Sequence, residues 1–388
     1  MGKSSISIIR FFLLFIGLIY CLWGSAALAA PAVKANAAIL MDAKTGQVLF
    51  EKSMDARNAP ASTTKIMTAI LAIESGRLEE TAKISVYAAS TRGSSMHLYP
   101  GQNISLAELV TGLLMRSGND AAVAIAEYLA GSEDAFVEMM NKRAAELGAT
   151  NTHFRNPHGL SAPGHYSSAH DLATLARYAL TLPQFATIVS TRETQIEWHD
   201  RRGRDRDVNL RNTNKLLWML DDVDGIKTGT TNEAGPCLVS SATRDNQKLI
   251  AVVLNDSSRW YDSLQLLNFG FDNYDLYDYA NDGDVLGNIA IESGLSEAVA
   301  AIVDGPASIT VRATDYDAVT VEVDLPEKIK APIYQGQKIG EIIFLVGDKA
   351  VKTIDLVAAN DVAERTLIKT LLYNLIQTFR LFSGWGLL

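Results

Sequence analysis

Apolar residues between positions 63 and 180 recur every three or four residues along most of that stretch. Residues at this spacing share one face of an α-helix, so the pattern predicts amphipathic helices that each turn an apolar face towards a core. The middle of the chain is therefore expected to be mainly helical. The predicted helices span residues 63–74, 106–116, 120–129, 134–147 and 169–180.

Short apolar runs typical of β-strands lie on both sides of this helical stretch. Residues 37–41 and 48–50 flank a Lys-Thr-Gly turn, which is the pattern of a hairpin. Residues 237–242 and 249–254 form a second pair around a polar turn. Strands that enclose a helical middle predict an α/β (α+β) domain, with a mixed antiparallel sheet and a helical subdomain. We place this domain at residues 31–275.

The pattern changes after about residue 284 to short alternating strands broken by Gly and Pro, as at residues 309–312, 319–323 and 341–346. A chain of 388 residues is also too long for one core, because single domains seldom exceed about 250–300 residues. The sequence therefore predicts a second, small all-β domain, a β-sandwich at residues 284–360. We expect it to serve as a spacer or to bind a partner.

The first 30 residues have the features of an export signal. Lys3 and Arg10 give a positive start, residues 11–23 are mostly apolar, and the alanines at 27 and 29 offer small side chains for cleavage. We expect a mature chain that begins within residues 30–33 and acts on the outer face of the cytoplasmic membrane. An uncleaved membrane helix is the alternative, although the apolar run is shorter than the roughly 20 residues that a span needs.

Residues 363–388 predict an amphipathic helix. Large apolar residues lie three or four apart, and basic and amide side chains lie opposite. Charges interrupt the apolar run, so the helix is expected to lie in the membrane interface as a peripheral anchor rather than to cross the bilayer. Packing of the helix on the protein itself is the alternative. The apolar stripe comprises Leu367, Ile368, Leu371, Leu372, Leu375, Ile376, Phe379 and Phe382.

Composition excludes several classes of function. A net charge of −9 argues against a nucleic-acid partner, which would need Lys and Arg to neutralise phosphates. Cys21 lies in the export signal, so the mature chain keeps one cysteine, Cys237, expected to be a buried strand thiol near the site. No metal site is predicted, because the histidines of the 153–170 region lack a supporting carboxylate pattern on one helix face.

The first motif with chemical potential is Ser62-Thr63-Thr64-Lys65, which opens an apolar helix. A Ser and a Lys three residues apart share a helix face, so the amine can reach the hydroxyl. The helix N-terminus also favours a developing negative charge on the serine. Such a string alone is more often an N-cap followed by a solvated lysine.

Two further motifs follow in the predicted first domain. Ser117-Gly118-Asn119 offers a hydroxyl that can relay a proton and an amide that can hold a carbonyl. Lys227-Thr228-Gly229 offers a charge and a hydroxyl for a carboxylate, beside a glycine that lets an extended substrate approach the strand edge. Each of these two motifs alone is weak evidence, since both strings commonly mark turns. All three motifs in one chain and in this order are a specific signal.

Together the motifs resemble those of penicillin-binding proteins and class A β-lactamases. The closer similarity is to low-molecular-mass, serine-type D-alanyl-D-alanine carboxypeptidases with an added β domain and a C-terminal amphipathic anchor. It rests on PASTTKIMT at residues 60–68, NPHGL at 156–160 and VDGIKTG at 223–229, and covers about residues 35–385. Gly118 stands where many β-lactamases have Asp, which favours the carboxypeptidases.

The resemblance implies a transpeptidase/β-lactamase-like fold, no cofactor, and peptidoglycan stem peptides and β-lactam antibiotics as ligands. It implies that Ser62 is the nucleophile, that a neutral Lys65 is its base and that Ser117 relays the proton to the leaving D-alanine. It further implies that Asn119 binds the substrate backbone and that the backbone N–H groups of Ser62 and Thr230 bind the oxyanion. Lys227, Thr228 and Arg259 are implied to bind the terminal carboxylate of the substrate, with Gly229 at the strand edge.

Three other functions remain open. A β-lactamase would need a group that activates water for fast deacylation, and residues 147–192, where class A enzymes carry a Glu for this purpose, contain none. A non-catalytic cell-wall scaffold would not need three intact motifs. An endopeptidase that acts on cross-links would use the same chemistry, and the sequence does not separate it from a carboxypeptidase.

Overall fold

The computed structural model describes residues 30–199 and 205–366. The predicted export signal and most of the predicted C-terminal helix lie outside these ranges. The described residues from Val33 onward belong to one compact unit. Within the described part of the chain, no helix has the length and apolar character needed to span a membrane.

The first part of the chain combines an antiparallel sheet with a group of helices. Its strands are β1 (Ala37–Asp42), β2 (Val48–Lys52), β3 (Thr81–Lys83), β4 (Asn103–Ser105), β5 (Glu193–His199), β6 (Asp205–Arg211), β7 (Val223–Thr231), β8 (Gly235–Arg244) and β9 (Gln247–Leu254). Its helices are α1 (Lys65–Glu74), α2 (Val86–Ala89), α3 (Leu106–Met115), α4 (Asn119–Ala130), α5 (Glu133–Glu146), α6 (Ala169–Ala179), α7 (Pro183–Ser190), α8 (Leu216–Met219) and α9 (Arg259–Asn273).

The central sheet has five antiparallel strands in the order β2-β1-β9-β8-β7. Strand β1 is apolar at nearly every position because both faces of the sheet are covered. Ile39 and Met41 pack into the core shared with the helical subdomain, whereas Ala38 and Leu40 pack into a second core that includes residues of α9. Alternate residues of a strand point to opposite faces, so each side of β1 contributes to a different core.

The five predicted helices are confirmed, each with ends within two residues of the prediction. Helix α1 is preceded by a 3-10 turn (Ala61–Thr64) and is buried from Lys65 to Ile73, which explains why it is apolar all round. Helix α3 begins with a capping box in which Ser105 and Glu108 satisfy each other's backbone N–H groups. The structure adds elements that the sequence pattern did not predict, chiefly α7 and the hairpin β5–β6.

The second part is all β apart from a 3-10 helix (Ala313–Ala318). Its strands are β10 (Tyr274–Ala280), β11 (Val285–Glu292), β12 (Ala298–Val303), β13 (Ala307–Arg312), β14 (Val319–Asp324), β15 (Lys328–Lys330), β16 (Lys338–Val346) and β17 (Lys349–Ala358). It contains a six-stranded sheet in the order β14-β16-β17-β12-β11-β15 and a two-stranded ribbon, β10–β13, that shares its core. Strand β10 begins ten residues before the predicted start at 284, because its Tyr and Asp residues do not form an aliphatic run.

Polar contacts join the turn of the β1–β2 hairpin to the β10–β13 ribbon. Lys44 Nζ lies 2.6 Å from Asp278 Oδ2, and the hydroxyls of Thr45 and Thr310 are 3.0 Å apart. The Asp42 carboxylate accepts hydrogen bonds from the backbone N–H groups of Lys44 and Thr45 and so fixes this turn. The β-rich part therefore contacts the sheet at its β1–β2 turn.

Candidate active site

Ser62 lies in the 3-10 turn that leads into α1, and it is partly exposed while its neighbours on both sides are buried. Ala61 has a φ of 49°, a left-handed conformation that costs about 1–3 kcal/mol in a residue other than glycine. The turn therefore presents one hydroxyl to solvent from an otherwise buried segment. This is the position that the sequence predicted for a nucleophile.

Lys65 is fully buried one turn after Ser62. Its Nζ lies 3.0 Å from Ser62 Oγ, 2.7 Å from Asn119 Oδ1 and 2.6 Å from the backbone oxygen of His158. Burial, and then the nearby charge of Lys227, hold the pKa of Lys65 well below its ordinary value, against an opposing effect of the Asp120 carboxylate. The surroundings of Lys65 therefore favour the neutral amine.

The three partners of Lys65 Nζ define the direction of its lone pair. Asn119 Oδ1 and the His158 carbonyl can only accept hydrogen bonds. A neutral amine has two N–H groups, and these two acceptors take both. The lone pair then faces Ser62 Oγ, which can donate its proton along the 3.0 Å contact.

Ser117 and Asn119 lie at the turn between α3 and α4. Ser117 is buried and has a φ of 62°, which places it in the left-handed region that few serines adopt. Asn119 is the first residue of α4 and uses both ends of its amide, since Oδ1 accepts from Lys65 and Nδ2 donates to the carbonyl of Arg92 at 2.7 Å. The second motif thus meets the first at Lys65.

The third motif lies in β7, at the edge of the central sheet. Lys227 is 1% exposed, and burial together with the charge of Arg259 lowers its pKa to about 7. The Thr228 hydroxyl lies 3.2 Å from that of Thr213, a neighbour that the sequence did not single out. Lys227 and Thr228 therefore provide a buried cation and an oriented hydroxyl.

Two glycines allow the backbone around Ser62 to come together. A Cβ on Gly229 would lie 2.9 Å from Ser62 N, and a Cβ on Gly159 would lie 1.9 Å from the carbonyl oxygen of Ala61. Real Cβ atoms do not approach other atoms so closely. The edge of β7 and the 156–160 turn can therefore contact the nucleophile turn only because neither residue has a side chain.

Arg259 is the first residue of α9 and reaches the end of β7. Its Nη1 donates to the carbonyl of Gly229 at 2.8 Å and to the hydroxyl of Thr230 at 2.9 Å. A third, longer contact of 3.2 Å reaches the carbonyl of Cys237. The structure thus brings this predicted residue to the same strand edge as the Lys-Thr-Gly motif.

Cys237 lies in β8 directly opposite Gly229 of β7. Its side chain is 0% exposed, and burial raises the pKa of the thiol. The prediction of a buried strand thiol near the site is therefore confirmed.

Two histidines of the 153–170 region contact the first motif, since the His158 carbonyl accepts from Lys65 Nζ and His165 Nε2 lies 2.9 Å from the Thr64 hydroxyl. Burial lowers the pKa of His158 to about 3 and that of His165 to about 4. Residues 30–199 and 205–366 contain no group of three or more metal-ligating side chains. The functional atom of His158 is its backbone oxygen, which no sequence motif indicated.

This arrangement can carry out acyl transfer. It joins a nucleophilic hydroxyl, a neutral amine that can accept its proton and backbone N–H groups at a helix start, which are the parts that such a reaction requires. Lys227 and Arg259 place positive charge beside the same strand edge, which suits a substrate that ends in a carboxylate.

Comparisons with known proteins identify the family. The D-alanyl-D-alanine carboxypeptidase family matches residues 25–258, and the C-terminal domain of penicillin-binding protein 5 matches residues 274–364. The D-alanyl-D-alanine carboxypeptidase DacF of Bacillus subtilis is 37% identical over 319 residues, which cover 80% of this chain and 81% of the relative. DacC of Escherichia coli is 35% identical over 352 residues, 86% of each chain.

Solved structures agree with the sequence comparison. Penicillin-binding protein 5 from Haemophilus influenzae aligns with a TM-score of 0.75 at 31% identity, over 87% of this chain and 100% of that one. The fold, the order of the domains and the sequence similarity all extend over most of the chain. The chain belongs to the D-alanyl-D-alanine carboxypeptidase family and is a serine-type enzyme of the low-molecular-mass penicillin-binding proteins.

Proposed function

We propose that this carboxypeptidase removes the terminal D-alanine from peptidoglycan stem peptides through an acyl-enzyme on Ser62. The observation that supports this proposal most directly is the set of contacts at Lys65 Nζ, which leaves the lone pair of the neutral amine for the Ser62 proton. Ser62 Oγ attacks the carbonyl of the penultimate D-alanine. The proton passes to Lys65, and an ester to Ser62 replaces the peptide bond.

The charge that develops on the substrate carbonyl oxygen needs hydrogen-bond donors. The backbone N–H groups of Ser62 and Thr230 are proposed to supply them, and the close approach of Gly229 to Ser62 N supports this assignment. Each such donor contributes about 10²–10³ in rate in comparable enzymes. Asn119 is proposed to hold the substrate backbone, in addition to its contact with Lys65.

The leaving D-alanine needs a proton on its amine and a site for its carboxylate. Ser117 is proposed to relay the proton, from its strained position between α3 and α4. Lys227, Thr228 and Arg259 are proposed to bind the carboxylate. Water then hydrolyses the ester, with Lys65 again as the base, and this step restores the free serine.

Residues 1–30 are proposed to export the chain, and residues 363–388 to anchor it on the outer face of the cytoplasmic membrane. The predicted division at 31–275 and 284–360 then gives a catalytic domain and a β domain between the site and the membrane, with the β domain extended to include β10 from Tyr274. The ability of the 363–388 helix to lie in a membrane interface rests on its sequence pattern.

Mass spectrometry after treatment with penicillin tests the proposed nucleophile. We expect one covalent adduct, located on the peptide that contains Ser62 and absent from Ser62→Ala. The adduct should persist for many minutes, because residues 147–192 contain no Glu to activate water. An adduct on another residue would refute the assignment, and loss of the adduct many times per second would identify a β-lactamase.

The pH dependence of kcat/KM tests the two lysines. Lys65 must lose its proton to act as base, so kcat/KM should rise with pH as the fraction of neutral Lys65 increases. Lys227 must keep its proton to bind a carboxylate, so kcat/KM should fall as the pH rises through about 7, the pKa of Lys227 in the free enzyme. A bound carboxylate raises that pKa, so the fall in kcat should occur at higher pH.

Lys227→Arg is the matched variant for this pH profile, since Arg stays protonated in proteins. We expect lower activity, with the alkaline fall in kcat/KM removed. An unchanged alkaline fall in Lys227→Arg would contradict the role of Lys227.

A further inference from the structure

Two buried carboxyl groups flank Arg259 along the chain, one in the loop before α9 and one in the first turn of that helix. Asp256 is 0% exposed and Asp262 is 1% exposed. The first lies in the loop between β9 and α9, and the second lies one turn into α9. Neither residue belongs to the motifs or to the proposed catalytic steps.

Asp256 fixes the loop that carries Arg259. Its Oδ1 accepts a hydrogen bond from Ser258 N at 2.8 Å. Its backbone N–H donates to the carbonyl of Pro236 at 2.8 Å, and its carbonyl accepts from Arg259 N at 3.1 Å. The backbone of Arg259 is therefore positioned against β8 through Asp256.

Asp262 is close enough to Asp256 to affect its titration. Burial, followed by the neighbouring Asp262 carboxyl, raises the pKa of Asp256. Asp256 Oδ2 is buried and makes no hydrogen bond within the described residues.

Asp262 also holds the start of the described chain. Its Oδ2 accepts a hydrogen bond from the backbone N–H of Lys34. Asn36 N donates to the carbonyl of Leu254 at 3.0 Å, and Lys52 Nζ donates to the carbonyl of Val33 at 2.9 Å. Residues 33–36 are therefore fixed at three points along their length.

The same residues also pack into the core that includes part of α9. Val33 and Ala35 are buried in one cluster with Leu266 and Leu267 of that helix. The Lys34 side chain points to solvent, so its backbone N–H is the group that reaches Asp262. The segment thus contacts α9 through apolar side chains and one hydrogen bond.

We propose that Asp256 and Asp262 are positioning residues for Arg259, and that the segment 33–36, through the N–H of Lys34, is needed for tight recognition of the substrate's terminal carboxylate. This inference rests on the proposed role of Arg259. The segment acts through Asp262, whose backbone N–H donates to the carbonyl of Ser258 at 3.0 Å in the first turn of α9. Asp256 accepts from the N–H of the same Ser258, so both residues act on the loop from which the guanidinium extends. None of these groups touches the substrate.

A guanidinium is sensitive to such positioning because its donors form a rigid planar fork. Arg259 directs Nη1 to two backbone carbonyls and the hydroxyl of Thr230, and its guanidinium lies 4.7 Å from the ring centre of Trp260. Among the described residues no other hydrogen bond of this guanidinium is found, so its remaining N–H groups can face a carboxylate. A shift of the loop would misalign those N–H groups, whereas Ser62 and Lys65 are positioned by separate contacts at the start of α1.

The test compares two substrates on the same enzyme preparation. One is a peptide that ends in D-alanyl-D-alanine with a free carboxylate, and the other is its C-terminal amide. The ratio of their kcat/KM values measures recognition of the carboxylate. The fraction of folded enzyme cancels in this ratio, so a partly unfolded variant still gives a usable value.

Two variants should lower the ratio. Asp256→Ala removes the acceptor for Ser258 N, and Lys34→Pro removes the N–H that Asp262 binds. We expect each variant to lower the ratio about tenfold, which is the effect of one lost hydrogen bond to a charged group. The change should appear in KM for the carboxylate substrate rather than in kcat. The amide substrate should be affected little.

Three matched variants should keep the ratio within about twofold of the wild type. Asp256→Asn still accepts from Ser258 N and can donate to Asp262. Lys34→Ala keeps the backbone N–H and changes only an exposed side chain. Asp272→Asn makes the same chemical change at an exposed position of α9.

The Arg259→Ala variant separates this inference from the proposed function. If Arg259→Ala lowers the ratio while Asp256→Ala and Lys34→Pro do not, Arg259 binds the carboxylate but the positioning inference is wrong. If Arg259→Ala leaves the ratio unchanged, the proposed role of Arg259 is itself wrong. Equal losses on both substrates in Asp256→Ala and Lys34→Pro would show a general structural role and would also overturn the inference.

Discussion

Replacement of Lys65 by Ala is expected to slow acylation of Ser62 by penicillin by about 10³-fold or more, within the range for loss of a positioned general base. The Ser62 hydroxyl would keep its place but lose its proton acceptor at 3.0 Å. The rate of adduct formation, followed by mass spectrometry at a fixed penicillin concentration, measures this effect.

Two control variants accompany Lys65→Ala. Lys65→Arg keeps a long side chain with nitrogen at its end but cannot act as a base, because Arg is not deprotonated in proteins, so it should be as slow as Lys65→Ala. Lys142→Ala removes an exposed lysine of α5 and should acylate like the wild type. Acylation of Lys65→Ala within tenfold of the wild-type rate would mean that another group deprotonates Ser62.

Gly159→Ala should have the second large effect, through the backbone beside the nucleophile. The new Cβ would lie 1.9 Å from the oxygen and 2.4 Å from the carbon of the Ala61 carbonyl, so the Ala61–Ser62 peptide or the 156–160 turn must move. Either movement disturbs the contact between the His158 carbonyl and Lys65. We expect acylation to fall by about 10²-fold or more, as is typical of a misplaced catalytic group.

Gly164→Ala is the matched control for Gly159→Ala. Gly164 lies in the same loop and has a φ of 79°, near the 88° of Gly159. A Cβ at Gly164 would meet no atom within 4 Å. Both variants therefore carry the backbone strain of about 1–3 kcal/mol, and only Gly159→Ala carries the collision. Equal acylation rates for the two variants would show that the close approach at Gly159 does not matter.

The sequence predicted the parts of the site that depend on local spacing. Ser62 and Lys65 are three residues apart at a helix start, and this spacing alone indicated that the amine could reach the hydroxyl. Lys227 and Arg259 could not be placed beside the site from periodicity, because they lie far along the chain. The residues of the Lys227 motif indicated carboxylate binding, but its place beside Ser62 and the role of Arg259 were implied by the resemblance to a known family.

Other features of the site leave no readable signal in a single sequence. The atom of His158 that contacts Lys65 is a backbone oxygen, which every residue possesses. The contact between Thr213 and Thr228 depends on how the chain returns after the β5–β6 hairpin, which has no strong apolar alternation. The helices of the middle region were predictable because their apolar faces repeat along the chain.

The burial of Cys237 beneath the strand edge has a practical consequence for labelling. It is the only cysteine after residue 21, and its thiol is fully enclosed. In a chain processed as proposed, a cysteine introduced at an exposed position such as Ser161 would be the one thiol open to a maleimide dye. A fluorophore there, near Thr231 at the end of β7, could report ligand entry in real time without prior removal of the native cysteine.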